Sequence, residues 1–443
     1  YDYDNKYLFQ YSANYNGSLS YSPDKRWGYF PSGAVAWIIT EENFMKDYSN
    51  IVSYLKLRGS VGKTGSQNLG AYDWRTLMGW ATYNGAAGIV PSSLGNDILQ
   101  WEEQIQKEVG LDYGFWDDRI RGTLGYYQKK VDNLLYSDPV PTSSSFSSVY
   151  QNIGSLKNRG IEFDVRVDII KNVQKDLTWN VDFNIARNRT TLEKLNSSDG
   201  YFGGGAYDYF KIEEGGETGR FYGYKDAGRL FMTNEELVGL KTIDPKTGTL
   251  KYYRDDYNYE RQGDVYIMDL DGDGQITADG DRTVIGNANP DFFGGFGSTL
   301  YWKGLMLNAV FSYSVGGDRF WDEEKNSSGD MNVYNTSNRI LDSWTVNPGV
   351  NASYPRAMYY GWGSNSIITD RYIHDASYLR MTALNLSYRL PKHLYKNSIL
   401  NAVEFTFQAT NLFTWTKYPG MDPQGNFSTS YSAFYNMGID YST

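Results

Sequence analysis

The 443-residue chain contains no cysteine and only two histidines. Without thiols there can be no disulfide scaffold, no thiolate zinc site and no cysteine nucleophile. Two histidines leave little from which to build a histidine metal centre. Basic residues are in the minority, 42 Lys+Arg against 52 Asp+Glu, a net charge of −10. That balance argues against a nucleic-acid partner. No apolar run approaches the ~18 residues that a membrane helix needs. Tyr1-Asp2-Tyr3-Asp4 is polar, so no signal peptide opens the chain and it reads as a mature or internal piece.

Aromatic residues are plentiful: 40 Tyr, 21 Phe and 12 Trp, or 16% of the chain. Mean hydropathy is nevertheless −0.56. Period-2 alternation of apolar and polar residues reconciles the two numbers and points to β structure. The length alone allows two or three ordinary domains or one large β domain.

The clearest alternation is 160–169, where Ile161, Phe163, Val165, Val167 and Ile169 alternate with Glu162, Asp164, Arg166 and Asp168. Segment 177–188 sets Leu177, Trp179, Val181, Phe183 and Ile185 against Thr178, Asn180, Asp182 and Asn184. Segment 104–115 does the same with Ile105, Val109, Leu111, Tyr113 and Phe115. Further copies at 6–16, 32–40, 53–63, 120–131, 291–302, 305–315, 378–390 and 402–411 bring the expected strands to eleven. The apolar faces are rich in Tyr, Trp and Phe, often at strand ends, around an aliphatic middle. That fits a lipid-facing band with interfacial girdles, opposite a charged face in a watery lumen. A soluble β protein is the competing reading.

Connections from residue 64 onward alternate in length. Tight links at 116–119, 170–176 and 303–304 separate long ones at 64–103, 132–159, 189–290 and 316–377, as in a barrel with short periplasmic turns and long extracellular loops. Links 17–31 and 41–52 are of similar length and decide nothing. Eleven strands cannot close an antiparallel bacterial barrel, whose strand count is even, and open edges are not allowed in lipid. The expectation is therefore an all-β chain forming part of a larger transmembrane antiparallel barrel, with at least one strand missing at its C-terminal end.

Several motifs occur in order: Arg26-Trp27-Gly28-Tyr29-Phe30-Pro31, Leu57-Arg58-Gly59-Ser60-Val61-Gly62, Asn158-Arg159-Gly160-Ile161-Glu162 and Phe221-Tyr222-Gly223-Tyr224. Gly263-Asp264-Val265, Gly286-Asn287-Ala288-Asn289-Pro290, Ser377-Tyr378-Leu379-Arg380 and Asn411-Leu412-Phe413-Thr414-Trp415 follow. The ordered set resembles the SusC/RagA-like branch of TonB-dependent outer-membrane transporters of Bacteroidota, from about residue 5 to the end. The resemblance implies the second half of a 22-stranded barrel. The plug domain, the segment that contacts the TonB complex and the closing strand would lie outside this sequence. It also implies import of a large nutrient, a glycan oligosaccharide or a peptide, with a SusD-like surface lipoprotein as partner. The rival reading is a secreted β-rich glycan-binding module.

The sharpest local motif is Asp269-Leu270-Asp271-Gly272-Asp273-Gly274-Gln275, followed by Asp279-Gly280-Asp281. Carboxylates at positions 1, 3 and 5 with Gly at 6 match the start of a Ca²⁺-binding EF-hand loop. Asp269, Asp271 and Asp273 would be ligands, Gln275 would offer its carbonyl, and Asp279 or Asp281 would replace the Glu that Gly280 displaces at position 12. An Asp/Gly-rich solvated turn and a Mg²⁺ site are the alternatives. Exposed aromatics in the long loops, Trp74, Trp80, Tyr83, Tyr209, Tyr359 and Trp362, are candidates to stack on sugar or grip peptide, or else to pack the loops. Catalysis finds little support. Adjacent Glu102-Glu103 and Glu213-Glu214 point to opposite faces. His374-Asp375 lacks a nucleophile, and Gly203-Gly204-Gly205 lacks the Lys-Ser/Thr of a phosphate loop.

Overall fold

The structure, a computed structural model, describes all residues except 196–200, 204–209, 232, 234–235, 237–241, 244–249, 252–260, 329, 332–335, 350–351, 360–364, 366, 397–398, 426–438 and 441–443. Its framework is one 12-stranded sheet in which every strand pairs with its sequence neighbours in that sheet. In chain order the strands are β1 (Asp2–Tyr3), β2 (Tyr7–Gly17), β3 (Trp27–Ile38), β4 (Val52–Ser66), β5 (Glu102–Phe115) and β6 (Ile120–Asp132). They continue as β7 (Gly154–Asn172), β8 (Leu177–Leu195), β9 (Phe292–Trp302), β10 (Leu305–Val315), β11 (Tyr378–Arg389) and β12 (Glu404–Thr416). All pairings within it are antiparallel.

All eleven expected strands form. The addition is β1, whose two residues are too few to display alternation. Asp4 and Asn5 turn the chain into β2 at φ 58° and 52°, a left-handed conformation that Asp and Asn tolerate. Lys303 and Gly304, at φ 45° and 86°, make the two-residue turn between β9 and β10. Strand β3 begins earlier than expected, at Trp27, and runs through Pro31. Pro31 pairs only with β2, because the β4 ladder starts at Ser32 opposite Gly62. A ring without an N–H is harmless on that open side.

Antiparallel order settles the two links whose lengths were uninformative. Link 39–51 shares an end with the tight turns 116–119 and 173–176, and link 18–26 shares the other end with the long loops. The first contains two 3₁₀ turns, Ile39–Glu41 and Asn43–Tyr48, which explains its length.

Register separates the two faces. Ile170, Trp179, Leu300, Leu307, Leu386 and Phe407 oppose one another in a row from β7 to β12. The adjacent row is Asp168, Asn180, Thr299, Asn308, Asn385 and Gln408, on the other face. Within the described residues nothing covers the apolar face: Val109 is 56% exposed, Ile161 50% and Phe407 58%. A soluble sandwich would bury these side chains under a second sheet. The buried clusters lie instead mainly among the long loops and the loop-side strand ends. This inversion, apolar wall outside and packed cores beyond its rim, is that of a membrane barrel.

Tyrosine–glycine pairs fit the lipid face together. The Tyr113 hydroxyl crosses Gly122 to donate to the Asp164 carbonyl at 3.0 Å. A Cβ on Gly122 would collide with both oxygens. Tyr313 repeats the arrangement across Gly294, donating to the Asn184 carbonyl at 2.9 Å. Each phenol thereby finds an acceptor where lipid offers none.

Candidate functional site

The polar face is a charge-lined wall. Arg58 pairs with Glu108 and, through Nε at 3.2 Å, with Asp112. Lys56 reaches the same Asp112 at 3.6 Å. Arg121 donates to Asp168 at 3.3 Å, and the Thr123 hydroxyl donates to Asp164. Farther round, the Asn308 amide donates to Thr299 at 2.9 Å and the Asn385 amide to Asn308 at 3.1 Å. Such rows hydrogen-bond internally yet keep polar atoms for water or solute. They can line a wet passage, and they contain no nucleophile–base constellation.

Above the wall the long loops fold into a cap with cores of its own. Phe210, Phe221, Phe320 and Tyr372 pack in one core, drawn from loops 196–291 and 316–377. Leu230, Phe231, Val265, Ile267 and Ile276 form a second. Asp264, 1% exposed and adjacent in sequence to Val265 of the second core, joins loop 196–291 to loop 316–377. It accepts from Arg261 N at 2.7 Å, from Arg356 Nη2 at 3.1 Å and from Asn365 Nδ2 at 2.8 Å. Burial raises its carboxyl above the ordinary carboxylate range despite the Arg356 guanidinium. Asp318 is also raised, first by burial, with Asp375 and Asp291 adding negative charge nearby. A third core, Tyr21, Phe30, Leu99 and Trp101, sits beneath loop 67–101.

The acidic loop lies in the same cap. Carboxylate oxygens of Asp269, Asp271 and Asp273 converge, all within 4.8 Å of one another. The turn is built by its own side chains: Asp269 accepts from Gly272 N at 2.7 Å and from Gly274 N at 2.8 Å, and Asp273 accepts from Gln275 N at 2.8 Å. Asp281 is buried and closes the loop, accepting from Leu270 N at 2.6 Å and from Thr277 N at 2.7 Å. Asp279, exposed on the short helix Ala278–Asp281, does not join the converging group. At Gly280, the position expected to carry Glu, a Cβ would meet the Asp271 carboxylate, which would have to move aside.

The aromatic candidates separate. Trp74 packs against the third core and donates to the Leu19 carbonyl at 3.3 Å. Trp80 stands 82% exposed on a hairpin of Met78–Tyr83 and Ala86–Pro91. Tyr83 ends the first strand of that hairpin, and Tyr359 lies in the short strand Met358–Tyr359. Tyr209 and Trp362, like Gly204 and Gly205, lie outside the described residues. Phe210, next to Tyr209 in the chain, is a core residue. His374 holds Glu324 at 2.7 Å and meets Trp321 and Tyr418 edge-on, a loop histidine in a packed network. The cap cores escaped the sequence reading because their residues come from segments far apart in the chain. The aromatic run Phe221-Tyr222-Gly223-Tyr224 was their available signal.

A meander with one lipid face, one wet face and a folded cap at the long-loop end is the wall of an outer-membrane β-barrel. The chain belongs to the TonB dependent receptor-like, beta-barrel family, which it matches over residues 1–412. It is 33% identical to TonB-dependent receptor P3 of Formosa agariphila, over 100% of this chain and 43% of the relative. It is 31% identical to TonB-dependent receptor SusC of Bacteroides thetaiotaomicron, over 95% of this chain and 40% of the relative. Among solved structures it superposes on the RagAB peptide importer in its 'closed-closed' state with a TM-score of 0.74 and 26% identity, covering 95% of this chain and 44% of that one. The 'open-open' state gives the same TM-score and identity, with 99% and 43% coverage. The chain thus spans less than half the length of these relatives.

Proposed function

We propose that this chain supplies lumen wall and external cap to a TonB-driven importer of a large nutrient, a glycan oligosaccharide or a peptide. The observation that carries the reading is the two-faced wall, with charged and amide rows behind a predominantly apolar outer band. Similarity to SusC and to a RagAB peptide importer supports the same reading. A SusD-like lipoprotein is the proposed partner on the cap, and the TonB complex the source of energy. Trp80, exposed at the rim, is the described aromatic best placed to meet solute or lipoprotein. The test is uptake of fluorescent oligosaccharides and oligopeptides by cells with and without the gene. Loss of one class on deletion supports import and names the cargo; unchanged uptake of both refutes it.

A Ca²⁺ ion held by Asp269, Asp271 and Asp273, with the Gln275 carbonyl, is proposed as a structural element of the cap. Hard oxygen donors converging on a glycine-bearing turn support it. Chelator should then hasten proteolytic cleavage near residue 270 in the intact protein, and Asp271→Ala should abolish that sensitivity. Cleavage indifferent to chelator refutes the site.

A further inference from the structure

The register places a band of cations on the lipid face, at the loop end of β4–β8. Val61, Lys107, Gln128, Arg159 and Arg189 oppose one another in one row. Below it runs Gly59, Val109, Tyr126, Ile161 and Arg187, and every deeper row is free of charge down to Val167. Above it stand Lys63, Lys130 and Lys157.

The upper cations are neutralised. Lys63 pairs with Glu103 at 2.7 Å, Lys130 with Asp132 at 2.9 Å and Lys157 with Glu193 at 2.8 Å. Arg189 pairs with Asp291 at 2.9 Å. Lys107, Arg159 and Arg187 differ. All three are exposed, and among the described residues none has a carboxylate partner within ion-pair distance. Leaving three cations unpaired against lipid is costly unless the membrane supplies the anion.

Their depth identifies that anion. A lipid-facing band ~25 Å tall takes about ten residues of tilted strand. Ile161 to Ile170 fills it, so Arg159 falls at headgroup level, on the long-loop, external side. Strands ~4.8 Å apart put Lys107 and Arg159, two strands apart, about 10 Å from each other, with Arg187 on the next strand. Gln128 adds a donor between the first two. We propose that Lys107, Gln128, Arg159 and Arg187 bind the phosphorylated headgroup of an outer-leaflet lipid, the lipid A of lipopolysaccharide. Guanidinium forks suit phosphate oxygens, and aliphatic Val109 and Ile161 lie below to receive acyl chains. The inference rests on the outer-membrane barrel assignment and is independent of what the importer carries.

The test uses the intact transporter in detergent and native mass spectrometry with added phosphorylated lipid A, the same lipid dephosphorylated, and phosphatidylglycerol. Combining Lys107→Gln, Arg159→Gln and Arg187→Gln should weaken retention of phosphorylated lipid A on the order of a hundredfold, near a factor of five per cation. Retention of dephosphorylated lipid should stay equally low in both proteins. Replacing the already paired Lys63 and Lys130 with Gln should leave retention within about twofold. If the triple variant does not fold, each single variant should lose about fivefold. Equal retention by parent and variants overturns the proposal. Phosphatidylglycerol held as tightly as lipid A, and lost in the same variants, overturns the lipopolysaccharide assignment.

Discussion

Val165 lies at a depth where the wall tolerates charge poorly. It opposes Gly122 on β6 and Phe183 on β8, in a row that continues to Tyr113 on β5 and Leu55 on β4. The apolar stretch of β7 runs from Ile161 to Ile170, so Val165 sits at its middle. There Val165→Arg puts a guanidinium at the bilayer midplane, too deep to reach either headgroup layer with ease. Arginine at that depth costs about 2–4 kcal/mol, a factor of roughly 30 to 900 in the folding equilibrium. Glu162→Lys is the control: its side chain lies on the lumen face of the same strand, exposed and, among the described residues, without an ion pair, and charge there should cost little. The assay is denaturant unfolding of the intact protein folded into bilayers, comparing both variants with the parent. Equal stability of the two variants would refute the face assignment.

Gly122→Ala and Gly294→Ala each push a Cβ into a backbone carbonyl and a tyrosine hydroxyl, and should destabilise the bilayer-folded protein by about 1–3 kcal/mol. Asp264→Ala strips Arg356 and Asn365 of their buried acceptor. It should destabilise the cap by roughly 3 kcal/mol, read as faster loop cleavage in limited proteolysis with the wall unaffected. The raised Asp318 carboxyl gives the cap a pH dependence of known sign. A folded-state value above the unfolded one means stability fully present below about pH 4 and lost as pH rises through the elevated value. Protease resistance of loop 316–377 should therefore fall as pH is raised through that window, and Asp318→Asn should flatten the dependence.

Most of the wall was legible because lipid on one side and water on the other impose a strict period of two. Strand β10 occupies 305–315 as expected, and β6 differs by one residue. The period fails above the band, where folded loops pack on the strands and Leu156 and Leu192 are buried with Ile212. Strands β7 and β8 extend to Gly154 and Leu195, well beyond the expected 160–169 and 177–188. A register shift between Asp168 and Ile170 breaks the pattern at the band's turn-side end, and one between Ser155 and Leu156 breaks it in the extension above the band. The cap was illegible for another reason. Phe210, Phe320 and Tyr372 have no local periodicity, and their contact is a product of three distant segments. In the acidic loop, Asp269, Asp271 and Asp273 were legible as a converging set, since a short turn fixes their spacing. The interior role of Asp281 depends on the fold around it.

Successive residues of β7 face lipid and lumen in turn, at a depth set by register. Site-directed labelling tests it directly, because the chain contributes no native thiol. Spin labels at Val165→Cys and Asp164→Cys in the membrane-embedded protein should differ sharply. The first should be relaxed by lipid-soluble oxygen and the second by a water-soluble nickel chelate. Reversed or identical accessibilities at the two positions would contradict the account.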